Sequence, residues 1–298
     1  MMWDFDSIYG KAKVYFARGA AHEHSDDEEF VLWHLLGFEF LLRAPLAKVH
    51  PSLLAAPEGE SILAANGIPT SNESKSIPSH TVISRLMQIV PNFTKERQQD
   101  SVTLLNIRNV ELHTGEAAAG NVANDFWLPK LLRVGEVVCA YLEANLQDVL
   151  DPEVIELARS LVDLEDKKLA HEVNQRIREA QAFFSKLTEE EIASRMPIAV
   201  ASFARPPVRV VICPGCQHEV PIVMERVRAS GERFVDDGLV RDAIYVAVAF
   251  HCPICTLELT STAEIVAAGL RQQFVQEEWE DLTERFQQDV IDDDYGND

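Results

Sequence analysis

Apolar residues recur at helical spacing through the first half of the chain. In "DSIYGKAKVYFARGA" they fall at Ile8, Val14, Phe16 and Ala20, and the run from Phe30 to Leu46 is apolar over a wide stripe, as in a helix at the centre of a core. Ser25, followed by a cluster of acids, suits the start of that second helix, because negative charge in a first turn meets the amide end of the helix dipole. Pro45 predicts a kink or an end to it. Residues 50–80 are rich in Pro, Gly, Ser and Asn and read as an extended connection with a short helix near Ser61. A short helix follows, stopped by Pro91. The next is capped by Thr94 and finishes near Gly115, where a left-handed residue is wanted. "DFWLPKLLRVGEVVCAYLEANLQ" supplies the last helix of a domain spanning residues 1–150.

Residues 151–205 keep the helical period and read as a connector. Asp151-Pro152 makes a good N-terminal pair, and Thr188 with Glu191 matches a capping box. The pattern then changes. "VRVVI" and "AIYVAVAF" are β-rich runs, and each leads into a pair of cysteines, which delimits a small β-rich domain at 206–260. Ser261 suits a new helix start, "LRQQFVQEEWEDLTERFQQDV" reads as amphipathic, and "IDDDYGND" is a tail, so 261–298 is expected to be a C-terminal helix with an acidic end. The fold class expected is mainly α: an N-terminal helical bundle with a helical extension, a small β-rich domain and a C-terminal helix.

The composition narrows what such a chain can do. With 298 residues and 47% hydrophobic content there is enough to build a core. No run of about 18 apolar residues is evident, and the acidic first residues do not resemble a secretory signal, so a cytoplasmic protein without a membrane span is expected. The net charge of −21 opposes long-range attraction to nucleic acid, so any such contact must be local or supplied by a partner. Of five cysteines, Cys139 stands alone on an apolar helical stripe and reads as an inert buried thiol.

The other four carry chemistry. Cys213-Pro-Gly-Cys216 and Cys252-Pro-Ile-Cys255 are two C-P-x-C pairs. Two intervening residues let both thiolates of a pair face one ion, and four sulfurs complete a tetrahedral Zn2+ site with no open position for catalysis. A redox dithiol is the other use of such pairs. The segment resembles a zinc ribbon, which implies two knuckles joined by antiparallel strands and a structural zinc. The 35 residues between Cys216 and Cys252 then require a hairpin or elongated loop. His218 and His251 adjoin ligands and are expected to be neighbours of the metal site.

The second constellation is "RNVELH", late in the helix that ends near Gly115: Arg108, Asn109 and His113. Bare arginine-to-histidine spacing of this order also joins Arg18 to His24 and Arg43 to His50, but Gly and Ala follow those arginines in place of a polar residue. Cleaving RNA without a metal needs the ribose 2′-hydroxyl to attack the adjacent phosphorus, one proton accepted there and another given to the leaving 5′-oxygen. Imidazole suits that exchange, and a guanidinium suits a phosphate oxygen as charge builds. The N-terminal 150 residues are similar to a HEPN domain, a helical bundle whose RNase members carry Arg, a polar residue and then His. That resemblance implies a metal-independent endoribonuclease of prokaryotic defence or toxin systems, with Arg108, Asn109 and His113 catalytic, RNA as substrate and a homodimer that brings two motifs to one cleft. A regulatory protein partner is expected, because an unrestrained RNase harms its host. The other reading is a non-catalytic dimerising adaptor whose zinc ribbon binds a protein. In that case His113 merely faces the carbonyl end of its helix and Arg108 pairs with an acid.

Overall fold

The computed structural model describes residues 3–22, 27–71, 73–202, 208–235 and 238–281. The chain divides into two compact units, residues 1–164 and 165–298, and the described part is mainly α-helical with one antiparallel sheet in the second unit.

The first unit is a helical bundle. Helix α1 (Phe5–Ala20) is capped by Asp4, whose carboxylate accepts from the Ser7 amide at 3.0 Å. Helix α2 (Glu28–Val49) is capped by Asp27; Ser25, the expected start, lies outside the described residues. By length and composition α2 would suffice to cross a membrane, contrary to the sequence expectation, but 72% of its apolar window is buried within the protein. Leu35, Phe38, Leu41 and Leu46 are fully buried, so its hydrophobicity serves the core. Pro45 does not end α2. It is buried inside the helix, which runs on to Val49 because Leu46 and Ala47 still have a core to enter. The helix stops at His50, held extended by the proline that follows it.

The connection after α2 holds a turn of 3-10 helix (Pro51–Leu53) and α3 (Ser61–Ala65), and a bridge between Ala55 and Ser76 closes it. Helix α4 (Ser79–Ile89) leads to α5 (Lys95–His113), which is capped by Thr94. Gly115 does not take the left-handed conformation expected of it. Thr114 ends α5 in extended conformation, and its own amide and hydroxyl both bond the Val110 carbonyl. The short α6 (Ala118–Asn121) and the long α7 (Asn124–Leu142) complete the bundle.

Helix α8 (Pro152–Phe184) is continuous across the division between the units. Val154, Ile155 and Ala158 belong to the core of the first, and Val173, Ile177 and Ala180 to the core of the second. The first unit therefore extends past residue 150, and 151–205 is not a separate connector. Helix α9 (Glu189–Ser202) opens on a capping box: the Thr188 amide donates to Glu191, and the Glu191 amide donates to the Thr188 hydroxyl.

The second unit is a sheet in the order β1 (Val208–Ile212), β2 (Glu219–Val235), β3 (Gly238–His251), β4 (Glu258–Leu259), with β5 (Gln273–Asp281) also paired to β3. Strands β2 and β3 pair antiparallel from Ile222–Phe250 to Val235–Gly238, so the wide spacing between the cysteine pairs is largely taken up by strand. Ser261 caps α10 (Thr262–Ala267), which Gly269 ends with a φ of 74°. The expected C-terminal helix is corrected here: over 273–281 the chain is strand β5. The edge of β3 offers partners that an isolated helix would lack. Glu278 takes Arg226 at 2.8 Å and Tyr245, and Glu280 pairs with Arg241. The small β-rich domain thus runs beyond residue 260, and the acidic tail lies outside the described residues.

Candidate functional site

The four cysteines of the second unit meet. The pair Cys213 and Cys216 sits in the turn between β1 and β2, and Cys252 and Cys255 sit in the turn between β3 and β4. The two turns have the same design. In the first, the Cys213 amide donates to the His218 carbonyl at 2.9 Å and Gln217 takes a φ of 61°. In the second, the Cys252 amide donates to the Leu257 carbonyl at 2.9 Å and Thr256 takes a φ of 63°. Pairing of β2 with β3, which sets Ile222 opposite Phe250, brings the turns together.

All four sulfurs are buried and lie within 4.8 Å of one another. Cys213 Sγ is 3.5 Å from Cys255 Sγ, and Cys216 Sγ is 3.6 Å from Cys252 Sγ. Sulfurs at the corners of a zinc tetrahedron with bonds of about 2.3 Å stand about 3.8 Å apart, and a disulfide would need about 2.0 Å. The donor set therefore fits a structural zinc. Hydrogen bonding with Cys213 holds Cys216 below the ordinary thiol range and Cys252 down to about 7, and the same crowding raises Cys213 and Cys255. The Gly215 amide also donates to Cys213 Sγ at 3.3 Å, as an amide does to a thiolate. Gly215 has no room for a side chain: a Cβ would stand 2.9 Å from Cys255 Sγ and 3.1 Å from the Ala180 Cβ of α8. His218 turns away from the sulfurs, its Nδ1 on the Cys216 carbonyl and its ring edge-on to Phe184, and His251 is exposed.

The first unit contains a different kind of site, a cavity of about 540 Å3 walled by α2, the segment before α4, α4 itself and α5. Arg108 and Asn109 line it, so two of the three residues of the arginine-histidine motif share one wall. His113 does not line it. It stands exposed at the last position of α5, more than a turn further on. Sequence reasoning missed what completes the cavity. Glu39 accepts Arg108 Nη2 at 2.7 Å on one carboxylate oxygen, and Arg43 Nη2 together with the Ser79 hydroxyl, both at 3.0 Å, on the other. Arg43 also donates to the Ile77 carbonyl at 3.2 Å. His80 and Asn106 line the opening beside Asn109. The signal available was Glu39 and Arg43, four residues apart within the apolar run of α2, a place where unpaired charge would be costly.

Cys139 is placed as expected: burial pushes its thiol up to about 12, which leaves it unreactive. Comparison with family models, with curated proteins and with solved structures found no match to this chain.

Proposed function

We propose that the chain is a metal-independent endoribonuclease of the HEPN type, acting in the cytoplasm of a prokaryote as part of a defence or toxin system, with a zinc ribbon as its docking module. The observation that carries this reading is the cavity in which Arg108 and Asn109 stand with Arg43, Ser79 and His80, because guanidinium, hydroxyl, amide and imidazole groups around one space suit a ribonucleotide. Arg108 would hold a phosphate oxygen as charge builds on it, and Asn109 would orient the ribose or the phosphate. His113 would exchange protons with the 2′-hydroxyl or the leaving 5′-oxygen, leaving a 2′,3′-cyclic phosphate and a 5′-hydroxyl.

Five residues of helix separate Arg108 from His113 by about 140° around the axis. The reading therefore includes a homodimer in which two copies of the motif face one cleft. Leu112 and Phe126, roughly half exposed at 45% and 47%, offer apolar surface for that contact. Cys213, Cys216, Cys252 and Cys255 would hold Zn2+, which would stabilise the second unit and leave no open coordination position. A protein partner would restrain or trigger the activity.

The test is incubation of the purified protein with total RNA in EDTA, alongside His113→Ala, Asn109→Ala and Arg108→Ala. Cleavage by the wild type and its loss in His113→Ala, whose exposed side chain can be removed without unfolding, is the expected result. Cleavage that persists in all three variants overturns the site. A second reading, a non-catalytic dimerising adaptor whose ribbon binds a protein, has one observation in its favour. Arg108 is buried and paired with Glu39, which ties α5 to α2 whether or not RNA is present.

A further inference from the structure

We infer that the second unit carries a surface for self-association, in which β2 pairs antiparallel with β2 of a second copy across a two-fold axis beside Ala229 and joins two sheets edge to edge. The inference is independent of the ribonuclease reading and of the contact proposed for the first unit.

Strand β2 has an open edge. Strand β1 pairs with it only from Glu219 to Val223, and β3 takes its opposite side; among the described residues no strand pairs with the β1 side from Met224 to Val235. Pro206 and Pro207 precede β1 and have no amide with which to carry its ladder further. A row of unpaired amides and carbonyls is a template for another strand.

The sequence of that edge is complementary to its own reverse. Along "VMERVRASGERFV", from Val223 to Val235, the two-fold sets Glu225 opposite Arg233, Met224 opposite Phe234 and Val223 opposite Val235. The members of each pair also share a face of the sheet. Glu225 and Arg233 stand across from Val246 and Val240 of β3, an even step apart, whereas Met224 and Phe234 stand across from Ala247 and Leu239, on the other face. The apolar pairs account for surface that the single chain leaves bare: Phe234 is 78% exposed, and Val223 and Val235 are 46% and 44% exposed. Val220, Ile222 and Met224 are a buried row, and Phe234 of the second copy would extend it.

The irregularities of β2 follow the same symmetry. Its register with β3 shifts between Arg226 and Arg228 and again between Ser230 and Arg233, on either side of Ala229, so each bulge faces a bulge of the other copy. Bulges and charges on an edge normally hinder pairing. Here they select one register, because a slip of two residues sets Arg233 against Val223 or Val227 and Glu225 against Gly231 or Val235. Arg233 also meets Glu277 and, at 3.6 Å, Asp242 of its own chain, and its guanidinium has donors enough for a third carboxylate.

The experiment uses the full-length, metal-loaded protein. Ala229→Cys lies beside the axis and should link to its own copy under mild oxidation, read as a dimer by non-reducing electrophoresis. Val223→Cys and Val235→Cys, each about 40 Å from its own copy, should link only when the two are mixed. Glu225→Arg and Arg233→Glu each set like charges opposite at both ends of the ladder. Each should weaken association about tenfold, measured by sedimentation, with circular dichroism unchanged, and an equimolar mixture of the two should recover most of it. Three results overturn the inference: no link in Ala229→Cys, self-linking of Val223→Cys as readily as of Ala229→Cys, or a mixture of the charge variants that associates no more tightly than either alone. Association through the first unit alone would give dimers that neither charge variant changes and no link at Ala229, which also overturns it.

Discussion

The four-cysteine cluster and the Arg108 cavity are both built where chain segments far apart in sequence converge, but they are finished to different degrees. Every sulfur of the cluster is buried, its donors are of one type, and two turns of the same design close around a single point. The cavity is open, mixes charges of both signs, and is lined by guanidinium, carboxylate, hydroxyl, amide and imidazole groups. A donor set that is complete and of one type suits structure; an open one of mixed types suits a ligand that comes and goes. That difference separates what a metal would do for the second unit from what a substrate would do in the first.

The sharpest way to break the comparison is at the metal. Cys252→Ser should abolish stoichiometric zinc, measured by plasma mass spectrometry. It should also remove folding free energy on the order of 10 kcal/mol from the second unit, read as lost strand signal and new protease cleavage after residue 165. The first unit should keep its helical melt, and a variant that retains zinc and its sheet would show that the cluster is not a metal site. Next in size is Glu39→Gln, which leaves Arg43 and Arg108 without their shared counter-charge inside the bundle. A loss of about 3–5 kcal/mol is expected in the melt of the first unit, with zinc content unchanged. A change below about 1 kcal/mol would mean that the triad contributes little.

Acid should separate the units more finely. His34 is wholly buried, its Nδ1 is 2.7 Å from the Phe30 carbonyl, and its Nε2 has no hydrogen-bond partner. Burial lowers its pKa from 6.5 to about 4, against a smaller opposing effect of the Phe30 bond. Because the folded state binds the proton more weakly than the unfolded state, this contribution to stability is complete above about pH 6.5 and is lost as pH falls towards 4. The total is about 3 kcal/mol in the first unit. His34→Leu should flatten the melt of that unit between pH 6.5 and 4.5; an unchanged slope would assign it to other groups.

Legibility in the sequence followed the range of the interaction. Helix α2 could be read because its apolar run is local, and the capping box at Thr188 and Glu191 because both bonds close within one turn. The cysteine turns could be read because C-x2-C spacing is itself the geometry that aims two sulfurs at one point. Strand β5 could not, since "QFVQEEWED" carries no period-2 alternation and only pairing with the edge of β3 makes it a strand. The motif residues were found, but not their surroundings. Whether Arg108 faces solvent, a ligand or Glu39 depends on how α5 packs against α2, which no spacing records. The same holds for His80, which has no motif and becomes of interest only because α4 begins at the cavity.

Helix α8 bears on how this protein can be taken apart. A fragment ended at residue 150, where the sequence texture suggests a boundary, would strip Val154, Ile155 and Ala158 from the bundle. One begun at residue 206 would leave the cysteine turns without Val173, Ile177 and Ala180. Neither half is a portable cassette with ends at its apparent seams. Any recombination or gene fission that kept both parts folded would have to cut within a helix and leave a turn or more of it on each side.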